Sequence, residues 1–203
     1  MGPVKSAYLA FRNPVGCQIK RCYMEFKYFD IPGPVEILPR VFGDVRGAFF
    51  ESFSERRLAE AGISGEWVQD NQSRSDRGVV RGLHFQKPPF AQGKLVRVAA
   101  GRALDVIVDI RRDSPTYGQH LSVELDSERF NMLYVPAGFA HGFTALEDNT
   151  LFLYKCTNYY APESEGGLLW NDPALGIDWG VQNPTISAKD QVLPTLADFN
   201  SPF

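Results

Sequence analysis

Histidine and cysteine are both scarce in this chain of 203 residues, which contains three of each. The histidines are His84, His120 and His141. So few histidines argue against a histidine-rich metal site, whereas a single imidazole, with an unperturbed pKa of ~6.5, is enough for a general base. The cysteines are Cys17, Cys22 and Cys156. This spacing predicts neither a disulfide framework nor a zinc site, so we interpret them as reduced thiols of a cytoplasmic protein.

The chain also lacks long apolar runs and any excess of positive charge. No run approaches the ~18 consecutive apolar residues of a membrane helix. The net charge of -3 argues against nonspecific nucleic-acid binding. We therefore expect neither a membrane nor a nucleic acid as partner. Residues 1–23 are polar and lack the apolar core of a signal peptide, so we expect a disordered extension there and a single folded domain over residues 24–203.

From residue 35 onward, short apolar runs alternate with Gly, Pro, Asp and Asn. Many short strands separated by close turns are typical of an all-β sandwich or barrel. Strands are predicted at residues 35–41, 48–53, 67–72, 79–85, 94–100, 103–110, 120–125, 132–135, 142–146 and 150–157. One helix is predicted over residues 54–61, because Ser54 is a good N-cap residue and two glycines follow. We expect the segment from residue 161 to wrap the barrel with turns or short helices.

Two details of the strand pattern bear on function. Asp105 and Asp109 share one face of the strand at residues 103–110, which predicts a solvated face or, alternatively, the lining of a polar cavity. Arg81 and His84 are an odd number of positions apart, so a regular strand would direct their side chains to opposite faces. A β-bulge at Gly82 would bring them to the same face.

Several common catalytic motifs are missing. The chain has no Gly-x-Ser-x-Gly elbow, no Gly-x-Gly-x-x-Gly turn and no P-loop. His84 has no second histidine two residues away, the usual arrangement for a metal in a jelly roll. His84 is then either a core residue or a general base. The remaining candidates are cations that could hold an anion or could simply be solvated: Arg46, Arg81, Lys94, Arg97 and Lys189.

Ten short segments, in order between residues 35 and 190, resemble the dTDP-4-dehydrorhamnose 3,5-epimerases. They read VFGDVRG (41–47), VQDN (68–71), RGLHFQ (81–86), QGKLVR (92–97), DIR (109–111), SPTYG (114–118), VPAGFAHGF (135–143), FLYKCTNYY (152–160), LWND (169–172) and SAKD (187–190). The resemblance implies a cupin-type double-stranded β-helix (jelly roll) with a few short peripheral helices. It also implies a homodimer that works without a metal or an organic cofactor. The implied reaction inverts C3 and C5 of dTDP-4-keto-6-deoxy-D-glucose, which gives dTDP-4-keto-L-rhamnose.

The resemblance also implies catalytic roles. His84 would be the general base at C3 and C5, and Asp190 would orient its imidazole. Lys94 would face the oxyanion that develops at O4, and Tyr154 would return a proton from the opposite face. Further residues match substrate-contacting positions: Arg46, Glu51, Gln69, Asn71, Arg81, His141, Glu165 and Lys189. The arginines and Lys189 suit a diphosphate, while Gln69, Asn71 and Glu51 suit thymine or sugar hydroxyls.

Three other functions stay open at the level of sequence. A relative could invert one centre only, or act on a differently substituted keto-sugar nucleotide. A non-catalytic jelly roll could bind the sugar nucleotide without turning it over. A metal-dependent cupin oxygenase is a weaker alternative, because no third metal ligand beside His84 and His141 is evident.

Overall fold

The computed structural model describes residues 24–203, so the predicted extension over residues 1–23 lies outside the described residues. The strands are β1 Met24–Tyr28, β2 Val35–Pro39, β3 Val41–Asp44, β4 Gly47–Phe50, β5 Gln69–Ser75, β6 Val80–Gln86, β7 Lys94–Ala100, β8 Arg102–Asp109, β9 His120–Asp126, β10 Met132–Val135, β11 Phe139–Ala145, β12 Thr150–Cys156 and β13 Glu165–Gly167. One α-helix, α1 at Glu55–Glu60, and two 3-10 helices, Pro162–Ser164 and Asp190–Val192, complete the described elements.

Two antiparallel sheets form the body of the fold. The first has the strand order β1-β2-β10-β7-β12-β5, and the second has the order β13-β6-β11-β8-β9. Side chains from both sheets meet in one buried cluster, which includes Val96, Phe152, Ile107 and Phe143. Strands that alternate inward apolar and outward residues produce such a layered core. The jelly-roll prediction is confirmed.

The C-terminal segment covers the outer face of the second sheet. Leu168 and Trp179 from this segment pack with Val106 and Val108 of β8 in a second buried cluster. Strand β8 is therefore covered on both faces, and Asp105 and Asp109 are completely buried. The first interpretation of these carboxylates, a solvated face, was wrong, because parity reveals which residues share a face but not what covers it.

The predicted helix is confirmed, and all ten predicted strands overlap observed ones. Helix α1 begins after Ser54 and is followed by Gly62, whose φ of +78° suits the end of a helix. Strands β1 and β13 were not predicted, and the strand expected at residues 35–41 is divided at Arg40 between β2 and β3. Within residues 24–203, no helix is long and apolar enough to cross a membrane.

The hairpin of β3 and β4 stands apart from both sheets. Within the described part of the chain, its strands pair only with each other, as a two-stranded sheet whose turn includes Arg46. Val41, Val45 and Phe49 in this hairpin are exposed to solvent. An isolated two-stranded hairpin is at best marginally stable in water, so a partner that covers these apolar side chains would stabilise it.

Candidate active site

A cavity of about 660 Å3 lies between the two sheets. Residues of β5, β7 and β12 from the first sheet and of β6 and β11 from the second line it, together with residues of the segment 185–190. Two smaller cavities, of about 280 and 410 Å3, have no histidine in their walls. Because a large cavity with convergent polar groups is the usual place for ligand chemistry, the cavity between the sheets is the candidate active site.

A β-bulge in strand β6 brings two predicted residues into this cavity. His84 pairs with His141 and Arg81 pairs with Phe143, so two residues of β6, Gly82 and Leu83, lie opposite one residue of β11, Gly142. Gly82 lies within the bulge with a φ of +133°, and a Cβ there would come within 2.5 Å of the Cα of Gly142. The close approach of the two backbones requires glycine at this position. The bulge hypothesis is confirmed, and both Arg81 and His84 line the cavity.

His84 and Asp190 form a hydrogen-bonded pair. Nε2 of His84 is 2.7 Å from Oδ1 of Asp190, which is buried at the start of the second 3-10 helix. A carboxylate can only accept, so the imidazole donates its Nε2–H and keeps the lone pair of Nδ1 for a ligand. Burial lowers the pKa of His84, while the hydrogen bond to Asp190 and its charge oppose this shift. The lowered pKa favours the neutral imidazole, which is the form that can accept a proton.

Lys94 and Tyr154 reach the same cavity from the opposite sheet. Burial raises the pKa of the Tyr154 hydroxyl, which keeps it protonated. Burial lowers the pKa of Lys94, while the charges of Cys156, Asp105 and Glu165 act in the opposite direction. Among the described residues, no hydrogen bond or ion pair involves the Lys94 ammonium, so its charge is available to an anionic group in the cavity.

The predicted substrate-contacting residues divide into three groups. Four of them line the cavity: Asn71, Arg81, His141 and Lys189. Gln69 and Glu165 lie just behind this wall: the Gln69 amide donates to Asn71 over 3.1 Å, and Glu165 pairs with Lys189 at 2.6 Å. Arg46 and Glu51 belong to the hairpin region and do not line the cavity. Arg46 is largely exposed and is held by Asp44, whose side chain accepts its Nε–H at 3.0 Å.

Asp105 contacts a residue that lines the cavity, although the sequence interpretation gave it no role. Its Oδ2 is 2.8 Å from Nε2 of His141, so a second buried histidine–aspartate pair lies beside the first. The available signal was the pair of carboxylates on one strand face, for which a polar cavity was the second interpretation. His120, the third histidine, does not line the cavity. Within residues 24–203, no group of three or more His, Cys, Asp or Glu residues could hold a metal ion.

Comparison with known proteins identifies the family. The family model for dTDP-4-dehydrorhamnose 3,5-epimerase matches residues 28–198. The chain belongs to this family. The dTDP-4-dehydrorhamnose 3,5-epimerase of Salmonella typhimurium strain LT2 is 52% identical over 168 residues, which cover 82% of this chain and 92% of that enzyme.

Solved structures of related epimerases have the same fold. A dTDP-6-deoxy-D-glucose-3,5-epimerase from Legionella pneumophila, in complex with dTDP-4-keto-L-rhamnose, superposes with a TM-score of 0.84 at 45% identity. The match covers 87% of this chain and 95% of that chain. A less similar structure, a 3'-monoepimerase from Streptomyces bikiniensis in complex with dTDP-quinovose, has a TM-score of 0.80 at 35% identity, over 84% and 87% of the two chains. The same fold therefore includes enzymes whose names describe epimerisation at one carbon and enzymes whose names describe epimerisation at two.

Proposed function

We propose that this member of the family catalyses the 3,5-epimerisation of dTDP-4-keto-6-deoxy-D-glucose to dTDP-4-keto-L-rhamnose. The ketone at C4 acidifies the protons on C3 and C5, so one base beside the sugar can serve both centres. The family assignment rests on the match over residues 28–198 and on relatives of the same name. The chemistry proposed for individual residues rests on the geometry of the cavity.

The observation that carries the proposal is a base and an acid on facing walls. His84, with Asp190 at 2.7 Å, belongs to the second sheet, and Tyr154 belongs to the first. A proton removed by His84 from one face of the sugar can be replaced by the Tyr154 hydroxyl from the other face. Exchange between these two faces inverts the carbon, whereas a single residue acting alone would only exchange its proton with solvent.

Lys94 supplies the charge that makes abstraction feasible. Removal of a proton next to the ketone moves negative charge onto O4, and an ammonium already placed in the cavity stabilises that oxyanion. Such preorganised electrostatic stabilisation is worth about 3–4 kcal/mol of barrier. Lys94 lines the cavity, and its ammonium, unpaired among the described residues, can supply this positive charge. No step in this scheme needs a metal or an organic cofactor.

The nucleotide part of the substrate needs cations and amides. Arg81 and Lys189 line the cavity and suit the diphosphate, and the linked side chains of Gln69 and Asn71 suit thymine or sugar hydroxyls. Glu165 positions Lys189 through their ion pair at 2.6 Å. A reaction on such a nucleotide sugar belongs in the cytoplasm, where the cysteines of this chain would remain reduced.

We also propose a homodimer, in which the exposed hairpin of β3 and β4 docks on a second copy. Val41, Val45 and Phe49 would then be covered. Arg46 and Glu51 do not reach the cavity of their own chain, and Oε1 of Glu51 is buried without a hydrogen-bond partner among the described residues. Docking would direct these two side chains towards substrate held by the partner subunit.

The reaction is tested by incubating the protein with dTDP-4-keto-6-deoxyglucose in D2O and following deuterium by NMR. We expect deuterium at both C3 and C5, and loss of both signals in His84→Ala. Label at one carbon only would instead indicate the single-centre epimerase, a function represented among the structural relatives. A complete absence of label, with binding retained, would indicate a sugar-nucleotide-binding protein instead of an enzyme.

A further inference from the structure

Asp105 is a buried charged group to which the reaction scheme gives no role. It lies on the inward face of β8 between Ala103 and Ile107, both part of the core between the sheets. Its side chain is completely buried. A carboxylate in such a place costs free energy unless hydrogen bonds or opposite charges compensate for the loss of water.

The compensation that Asp105 receives is incomplete. Oδ2 accepts a hydrogen bond from His141 over 2.8 Å, but Oδ1 is buried without a hydrogen-bond partner among the described residues. The negative charge of Asp105 also acts on the ammonium of Lys94, which lies across the cavity on the first sheet. Buried polar groups without full partners in a native fold require an explanation, and a catalytic role is one. Asp105 thus forms a hydrogen bond with one side chain that lines the cavity, His141, and acts through its charge on a second, Lys94.

Asp109 shows what a purely structural carboxylate looks like on the same strand face. It is equally buried, but both of its oxygens have several partners. Arg111 donates its Nε–H to Oδ1 at 2.9 Å, and the hydroxyls of Ser114 and Thr116 donate to Oδ2 at 2.5 and 2.7 Å. Although burial alone would raise it, these hydrogen bonds lower the pKa of Asp109 to about 2. Asp109 does not line the cavity, so it is a matched control for Asp105.

We propose that Asp105 is a positioning residue for the epimerisation, which fixes the His141 imidazole by a hydrogen bond and stabilises the positive charge of Lys94, so that both groups can act on the ketone oxygen of the substrate. The role rests on the proposed function, because it concerns the oxyanion formed in that reaction. The hydrogen bond to Asp105 fixes His141 with its Nε2–H directed at the carboxylate and its Nδ1 left for the ligand. The negative charge of Asp105 offsets the loss of water around the ammonium.

The charges around Lys94 determine how its titration should respond to a change at position 105. Glu165 and Asp105 stabilise the ammonium, and His84 lies on the facing sheet. Burial raises the pKa of the Cys156 thiol, so this group is neutral near pH 7 and contributes little charge there. Removal of the Asp105 charge lowers the pKa of Lys94 further. As the pH rises, the rate of a reaction that needs the ammonium then falls at a lower pH than in the wild-type enzyme.

The test compares Asp105→Asn with Asp109→Asn in turnover, pH profile and thermal stability. We expect Asp105→Asn to lower kcat at least about tenfold with KM changed less than about threefold, and to move the alkaline limb of the rate profile to lower pH. Asp109→Asn should lower Tm and leave kcat and the pH profile unchanged. In a His141→Gln background, Asp105→Asn should lower kcat by less than it does alone, because the part of its effect that acts through His141 is already lost.

Wild-type kcat and pH profile in Asp105→Asn would overturn the role, as would a kcat loss without any movement of the alkaline limb. If Asp105→Asn does not fold, 15N NMR of the wild-type protein provides the test, because it shows which imidazole nitrogen of His141 carries the proton. The Nε2–H tautomer supports the role and the Nδ1–H tautomer overturns it. The proposed function fails separately, through absence of deuterium exchange in the wild-type protein.

Discussion

At the scale of single residues, the proposed proton-transfer groups of the cavity lie on facing sheets. His84 with Asp190 lies on one side and Tyr154 on the other. In the proposed reaction, this separation assigns abstraction and return of the proton to two different side chains. The two steps can therefore be uncoupled by a substitution that removes only one of the groups.

Tyr154→Phe should leave abstraction largely intact and impair inversion. His84 would still exchange the C3 and C5 protons with solvent, but the proton would return from the face it left. We expect at least a tenfold fall in inverted product while deuterium still enters the unreacted substrate. NMR of the reaction in D2O measures both quantities together.

Tyr134→Phe is the matched control for this prediction. Tyr134 is another half-buried tyrosine whose pKa is raised by burial, but it packs against Trp67 and does not line the cavity. Its substitution should leave exchange and inversion unchanged. Equal effects of the two substitutions, or normal inversion in Tyr154→Phe, would remove Tyr154 from the scheme.

At the scale of secondary-structure elements, the bulge in β6 sets the direction of His84. Two residues of β6 fit opposite one of β11 only because Gly82 allows the two backbones to approach closely. A side chain here would meet the Cα of Gly142 and the carbonyl oxygen of His141. The strand would have to shift, and His84 and Arg81 would move with it.

Gly82→Ala should therefore reduce both stability and activity. We expect a loss of about 1–3 kcal/mol of unfolding free energy from the positive φ and the close contact, together with a fall in kcat of at least tenfold. Gly62→Ala tests the backbone effect alone, because Gly62 also has a positive φ but has open space around it. It should cost about 1–2 kcal/mol and leave kcat unchanged. Denaturant unfolding and steady-state rates measure the two effects, and a Gly82→Ala enzyme with normal kcat would contradict this account of the bulge.

The sequence predicted strands well where apolar alternation is regular and less well where another segment decides the outcome. The bulge could be anticipated because Arg81 and His84 have opposite parity on either side of a glycine. Burial of Asp105 could not, because its cover comes from residues more than thirty positions away, such as His141. Strand β13 was missed because Glu165–Gly167 is strand only through its pairing with β6. The catalytic candidates were identified through ordered short motifs, and no single motif was sufficient.

At the scale of the whole molecule, the isolated hairpin predicts an assembly with shared sites. Arg46 stands at the tip of this hairpin, away from the cavity of its own chain. In a two-fold dimer each chain would present Arg46 to the cavity of the other. Light scattering should therefore give the mass of a dimer.

Arg46→Ala and His84→Ala should complement each other in a mixed dimer. We expect each variant alone to be severely impaired and the co-expressed pair to recover about a quarter of wild-type activity, because half of the dimers are mixed and each has one intact site. Activity that does not exceed the sum of the separate variants would place Arg46 at the site of its own chain. Arg112→Ala is a suitable control, because this exposed arginine contacts Asn200 and does not line the cavity.

The link between His84 and Asp190 spans 106 positions of the chain. During synthesis, strand β6 and the strand that pairs with it, β11, emerge well before residue 190. A nascent chain can thus assemble both sheets while its imidazole still lacks the carboxylate that orients it. In the proposed scheme, full catalytic competence then requires the later segment that carries Asp190, so activity would report that this segment has docked on sheets that are already formed.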